Sequence, residues 1–349
     1  MRIVYANAHT GDGDGGESPP GPFHPYQRSH QLLSNEPVMY FSYDDAWEYA
    51  KAGRVDLMLF EGPSERLDTN RSVLQRIRSA RELGVVTVCM GGDYFYGWTR
   101  AGGADSFVAG VDALKAAAAV ICRHPLHVPY AKRLTDSPVY QWCDYMTTAS
   151  LMEEGYPPNE RTLVAMPFPP LFPKHFHTER SSIPTMLVLQ GLHERFPQFE
   201  YVFLTQATAS GRLGEMFGLP LHGAPGLIFE RNPLSDYLVE LSKCRLLVNM
   251  DCSHTGGGYI VDACAVGTPN VCTGFTAAGY IYNQGSQGGM FMHPYDIEPC
   301  IEYGSRLLND EPLWGQESRH ARTVSARYTA AAGRSTMERI YNEAKKGRA

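Results

Sequence analysis

The chain has 349 residues, 43% hydrophobic and 19% charged, a composition that excludes a disordered polypeptide and a length that suits two ordinary domains. Its formal net charge of -6 counts against a role coating nucleic acid, and no stretch approaches the roughly 18 apolar residues of a membrane span. The opening Met1-Arg2-Ile3-Val4-Tyr5 lacks a signal peptide's apolar segment, and the eight cysteines include no C-x-x-C pair. Buried thiols in a reducing cytoplasm are therefore expected.

In chain order, residues 2–8 and 38–42 read as strands, and 44–53 as a short helix ended at Gly53. Residues 55–60 form the next expected strand and 70–84 a helix. A strand at 85–90, a helix at 107–118, and strands at 119–122 and 139–143 follow. Strands apolar on both faces, alternating with amphipathic helices, predict a parallel sheet covered on both sides. A proline-dense stretch over 166–173 then suits an extended linker. Alternation resumes with a helix at 182–196, a strand at 200–205 and a helix at 234–244. Further strands are expected at 246–250 and 270–273, and helices at 259–266, 296–309 and, with interruptions, 312–345. The expected architecture is α/β, two Rossmann-like domains with parallel sheets facing across a cleft. The first spans 1–165, the second 166–325, and the helix of 326–349 is expected to return to the first.

Three consecutive glycines, Gly256-Gly257-Gly258, lead into the helix at 259–266. Backbone without side chains can approach a diphosphate closely, and a helix start offers unpaired N–H groups and a positive dipole end. Asp262, inside that helix, can accept hydrogen bonds from both hydroxyls of a ribose. The same residues also read as a plain turn and a solvated helix carboxylate.

The order of elements in this region carries a resemblance. "LSKCRLLVNM", the loop "SHTGGGY" and "IVDACAVGTPNVCT" are followed by "GGMFMHPYDIEPCIEYGSRLLNDEPLWGQESRHAR". This series resembles the donor-binding core of GT-B glycosyltransferases of the group 1, or family 4-like, type. Asp262-Ala263-Cys264-Ala265-Val266-Gly267-Thr268-Pro269 stands where that family reads Glu-Ala-x-Ala-x-Gly-x-Pro. The resemblance covers roughly the last third of the chain in sequence and the rest in layout. It implies an enzyme that moves a sugar from a nucleotide-sugar, UDP- or GDP-linked, to an acceptor hydroxyl without a metal or other cofactor.

Carried over residue by residue, the resemblance gives Asp262 the ribose and Gly256, Gly257, Gly258 and Tyr259 the phosphates. Many retaining members carry a second acid eight positions earlier; here that place holds His254, which suits a phosphate or a donor hydroxyl. After the first strand comes His9-Thr10-Gly11-Asp12-Gly13-Asp14-Gly15-Gly16, placed like the family's Gly-rich loop against donor and acceptor. Gly15 and Gly16 are assigned to the donor, and His9 and Asp14 to acceptor or phosphate contacts. Pro19, Pro20 and Pro22 make a dinucleotide fingerprint a poor fit there.

Asp93, after the strand at 85–90, is the candidate general base if the enzyme inverts, and a sugar-orienting group if it retains. Asp93 and His254 are thus the candidate catalytic pair. Tyr94 can stack on a sugar face or close a core. Arg123 and His124, after the strand at 119–122, are candidate acceptor or phosphate contacts, an Arg there also serving to bridge helices. Lys174 and Arg180 are the basic residues placed to hold the diphosphate. The acceptor is open among small molecules, glycans, proteins and DNA, including the modified bases of phage DNA. An epimerase or phosphorylase, and a sugar-binding protein without chemistry, share the architecture.

Overall fold

The computed structural model describes residues 1–7, 40–61, 67–91, 103–142, 158–167, 182–204, 215, 217–223, 234–251, 257–289, 291, 293 and 295–346. The chain divides into two compact units, one of residues 1–145 with 330–349, the other of 146–329.

The first unit is built on a six-stranded sheet of order β2-β1-β3-β4-β5-β6, every neighbouring pair parallel. Its strands are β1 (Ile3–Asn7), β2 (Tyr40–Ser42), β3 (Leu57–Glu61), β4 (Val86–Met90), β5 (Ala119–Cys122) and β6 (Val139–Gln141). Helices α1 (Tyr43–Lys51), α2 (Leu67–Glu82), α3 (Gly103–Ala116) and α4 (His127–Leu134) form the connections. Strands β4 and β5 are buried along their whole length, as continuous apolar runs in a two-sided sheet must be. The order reverses between β1 and β3, the topological switch point of the sheet.

The second unit carries a five-stranded parallel sheet of order β11-β10-β7-β8-β9. Here β7 is Leu163–Met166, β8 Glu200–Phe203, β9 His222–Gly223, β10 Cys244–Asn249 and β11 Asn270–Cys272. Helices α5 (Ser182–Arg195), α6 (Leu234–Leu241), α7 (Gly258–Ala265), α8 (Ala277–Asn283), α9 (Ile297–Asn309) and α10 (Glu311–Ser325) complete it. Its switch point lies between β7 and β10. Leu189, Leu192, Phe203, Val248 and Leu307 are fully buried in its core.

A last helix, α11 (Ala330–Lys346), packs on the first unit, where Met337 and Ile340 enter the core and Tyr140 donates to Glu343. The boundary expected at 165–166 cuts through β7. That strand is central in the second sheet, bonded to both β8 and β10. The proline-dense reading therefore began one element too late. Strand β9 and helices α4 and α8 were also unanticipated, and α3 starts four residues before its expected position. Among the described residues, no helix is long and apolar enough to cross a membrane.

Candidate functional site

In doubly wound sheets ligands gather beyond the carboxyl ends of the strands, at the switch point. In the second unit that place is the end of β10. The strand is buried throughout and runs out at Met250 and Asp251, the latter only 7% exposed. The Met250 N–H donates to Thr185 Oγ1 on the first turn of α5, at 3.0 Å. The Asp251 N–H donates to Asn249 Oδ1 at 3.1 Å, and the Asp251 carbonyl accepts from Thr273 Oγ1. The strand end is thus fixed from both sides.

Helix α7 starts at the same edge. Its N-cap is Gly257, in left-handed backbone at φ 77°, ψ 44°, a residue with no side chain of its own to cap the helix start. A Cβ at Gly257 would stand 2.9 Å from Thr276 Oγ1 and 3.2 Å from the Ala278 Cβ, so both the backbone and the space demand glycine. The helix owes its hold on the sheet to Ile260, Val261, Ala263 and Cys264, all fully buried.

The far end of α7 is closed in detail. Gly267, at φ 69°, donates to the Cys264 carbonyl at 3.1 Å, and Thr268 to the Ala263 carbonyl at 2.8 Å. These two bonds form a Schellman motif. Arg161 and Arg322 add guanidinium donors to the Val266 carbonyl, at 3.1 and 3.3 Å. Trp314 lies between Arg161 and Arg245, 4.9 and 5.0 Å from their guanidinium carbons. Burial and the neighbouring Arg322 lower the Arg161 pKa to about 10, which leaves it charged at neutral pH. Cations at the C-terminal end match the negative end of the helix dipole, and the N-terminal end begins at a glycine. The asymmetry makes the start of α7 the end able to receive an anion.

Asp262 is 2% exposed, one turn inside the helix. A carboxylate buried there and a second one, Asp251, at the adjoining strand end would repel a diphosphate. They suit the neutral hydroxyls attached to it. Asp251 was not singled out from the sequence, because a lone acid after an apolar run reads as the first residue of a loop. Its burial at a switch point is what sets it apart.

In the first unit, Arg123 and His124 follow β5 at the carboxyl edge and are 3% and 1% exposed. The Leu126 N–H donates to His124 Nδ1 at 3.1 Å, which puts the proton of the neutral ring on Nε2. The His127 ring centroid is 5.1 Å from that of His124. Buried Trp142 follows β6, its backbone N–H donating to the Cys122 carbonyl at 2.9 Å.

Of the residues singled out from the sequence, the structure brings Gly257, Gly258, Tyr259 and Asp262 together on α7, and places Arg123 and His124 side by side in the other unit. His9, Asp14, Gly15, Gly16, Asp93, Tyr94, Lys174, Arg180, His254 and Gly256 lie outside the described residues. Among the described residues, no three His, Cys, Asp or Glu side chains gather as metal ligands.

No protein-family model matches the chain, and no curated protein matches its sequence. Solved structures do match. HepE from Anabaena, in complex with UDP, aligns at TM-score 0.67 and 11% identity, over 98% of this chain and 100% of that one. It was also solved with UDP and glucose and with UDP-glucose. Sucrose-phosphate synthase from Thermosynechococcus elongatus aligns at 0.62 and 15%, over 90% of this chain and 83% of its own. TarM from S. aureus, in complex with fondaparinux, alpha-GlcNAc-glycerol and UDP, aligns at 0.60 and 9%, over 82% of this chain. This chain spans 55% of the length of TarM. The fold they share with this chain is GT-B, and two parallel α/β sheets are consistent with it.

Proposed function

We propose that this chain is a glycosyltransferase that takes a sugar from a nucleoside-diphosphate sugar and passes it to an acceptor hydroxyl. The observation that carries the reading is the start of α7: a left-handed glycine N-cap, at the switch point of a doubly wound sheet, with a buried carboxylate one turn inside. The dipole of α7 and its first-turn N–H groups receive the diphosphate, and Asp262 accepts the ribose hydroxyls. Holding the leaving diphosphate at a preorganised positive end lowers the charge cost of breaking the glycosidic bond. In this reading the helix dipole, together with basic side chains, carries the diphosphate without a metal ion. UDP in the structures of HepE and TarM supports a uridine donor as the first to test.

His254 and Asp93 remain the proposed groups near the reacting sugar. Arg123 and His124 are proposed on the acceptor side. The test is a donor screen on the purified chain, following release of nucleoside diphosphate from UDP-, GDP- and TDP-sugars with a panel of hydroxyl acceptors. Release with one nucleotide class supports the reading. Tight sugar binding with no release from any donor would replace it by a binding protein.

A further inference from the structure

The segment between β11 and α8 touches both described edges of the α7 site. At one edge Thr273 Oγ1 donates to the Asp251 carbonyl, while the Thr273 N–H donates to the Asn249 carbonyl at 3.3 Å. The other edge is Gly257, whose position allows no side chain because Thr276 and Ala278 already occupy the space.

The segment is itself tightly wound. Thr276 is the N-cap of α8, its Oγ1 accepting from the Gly279 N–H at 3.1 Å. A Cβ at Gly279 would stand 2.2 Å from the Thr273 carbonyl oxygen, so the close approach of the two ends of this turn admits only glycine there. Gly274 is further bonded to the Phe291 carbonyl at 2.8 Å. The other end of α8 is anchored in turn. Tyr282 donates to Glu317 on α10 at 3.0 Å and accepts from the Asn270 N–H at 3.1 Å. His320 bonds the Tyr282 carbonyl at 2.7 Å. Glu317 is 1% exposed and also accepts from the Gln287 N–H at 2.7 Å.

We infer that Thr273 and Thr276 are positioning residues for the diphosphate end of the donor: Thr273 fixes the end of β10 at Asp251, and Thr276 fixes the N-cap Gly257 of α7. The inference rests on the proposed donor site and adds to it the part of the chain that sets its dimensions. Neither threonine touches the ligand in this account. They act by holding the strand end and the helix start in register, so that the first N–H groups of α7 stand where the phosphate oxygens must find them, and a shift of a few tenths of an ångström there costs hydrogen-bond geometry.

The experiment compares the full-length wild-type chain with Thr276→Ser, Thr276→Asn and Thr273→Val. Calorimetric titrations use UDP, GDP and TDP, and then the free nucleoside of whichever binds, with thermal unfolding in parallel. Serine keeps the capping oxygen and the space, so binding stays within about threefold of wild type. Asparagine keeps a capping oxygen but adds bulk against Gly257, so the protein folds and diphosphate affinity falls by about tenfold. Thr273→Val removes one hydrogen bond at the Asp251 edge and lowers affinity by a similar factor. Affinity for the nucleoside stays unchanged in all three variants, because the disturbance is confined to the phosphate end. Wild-type-like diphosphate binding by Thr276→Asn and Thr273→Val would overturn the inference while leaving the donor site standing. Equal loss of nucleoside and diphosphate binding would also overturn it, by making the threonines merely structural. A wild-type chain that binds no nucleoside diphosphate would overturn the donor site itself.

Discussion

The two units use the same device, a doubly wound parallel sheet with its carboxyl edge at one end, and furnish that edge with opposite charges. In the second unit the buried charged groups described at the edge are carboxylates, Asp251 and Asp262, beside a helix start whose N-cap is glycine. In the first the charged group is Arg123, beside the imidazoles of His124 and His127. A dipole end flanked by acids fits a diphosphate with neutral hydroxyls on either side. A cationic edge fits a ligand that is anionic or becomes so. The difference teaches that topology marks where a ligand can sit, while the charge at each strand end says what kind of ligand it is.

The contrast breaks most sharply at Gly257. Gly257→Ala forces a side chain onto left-handed backbone and into Thr276 and Ala278. It should abolish nucleoside-diphosphate binding in calorimetry and lower stability by about 1–3 kcal/mol in thermal melts. Next comes Asp262→Asn, which keeps the shape but removes the charged acceptor. Donor affinity should fall about tenfold with the unfolding midpoint little changed. Unchanged affinity would take Asp262 out of the site.

The first unit should answer differently. Arg123→Gln should leave nucleoside-diphosphate affinity within about twofold, since its effect belongs to another edge, while transfer to an acceptor slows. Equal loss of donor affinity would erase the division of labour. The smallest effect is a control at the opposite, amino end of the first sheet. There Arg2 holds Asp56 through its backbone N–H at 2.7 Å and its guanidinium at 3.1 Å, and the Arg2 hydrogen bond lowers the Asp56 pKa below its ordinary 3.8. A depressed carboxylate stabilises the fold at any pH above 3.8 and loses that contribution as the pH falls through its folded value. Asp56→Asn should therefore cost less than about 1 kcal/mol at neutral pH and nothing in strong acid, by urea titration at several pH values.

Much of this was legible in the sequence, and the exceptions share a cause. The buried strands β4, β5 and β10 stand out as apolar runs, and α7 shows its glycines, its small residues and the Gly267 stop. Strand β7 did not, because its four residues lie just ahead of the prolines that dominate the local pattern. Helix α4 is eight residues long with Pro129 in its first turn, a position where proline costs little but masks the period. Helix α8 has seven residues, one of them Gly279, and owes its existence to Thr276 and to tertiary bonds from α10. Asp262 was readable from its place in a motif. Asp251, Thr273 and Thr276 were not, because what distinguishes them is burial and mutual bonding across strands. Strand order creates that, and local pattern does not show it.

The central claim is that a nucleoside diphosphate sits at the start of α7. Hydrogen–deuterium exchange on the full-length chain, with and without saturating UDP, tests it most directly. The account predicts that protection gained on binding is concentrated in peptides spanning 251–262, with a smaller gain over 273–279. Protection confined to the first unit, or gained only near the Arg161, Arg245 and Arg322 end of the helix, would contradict it.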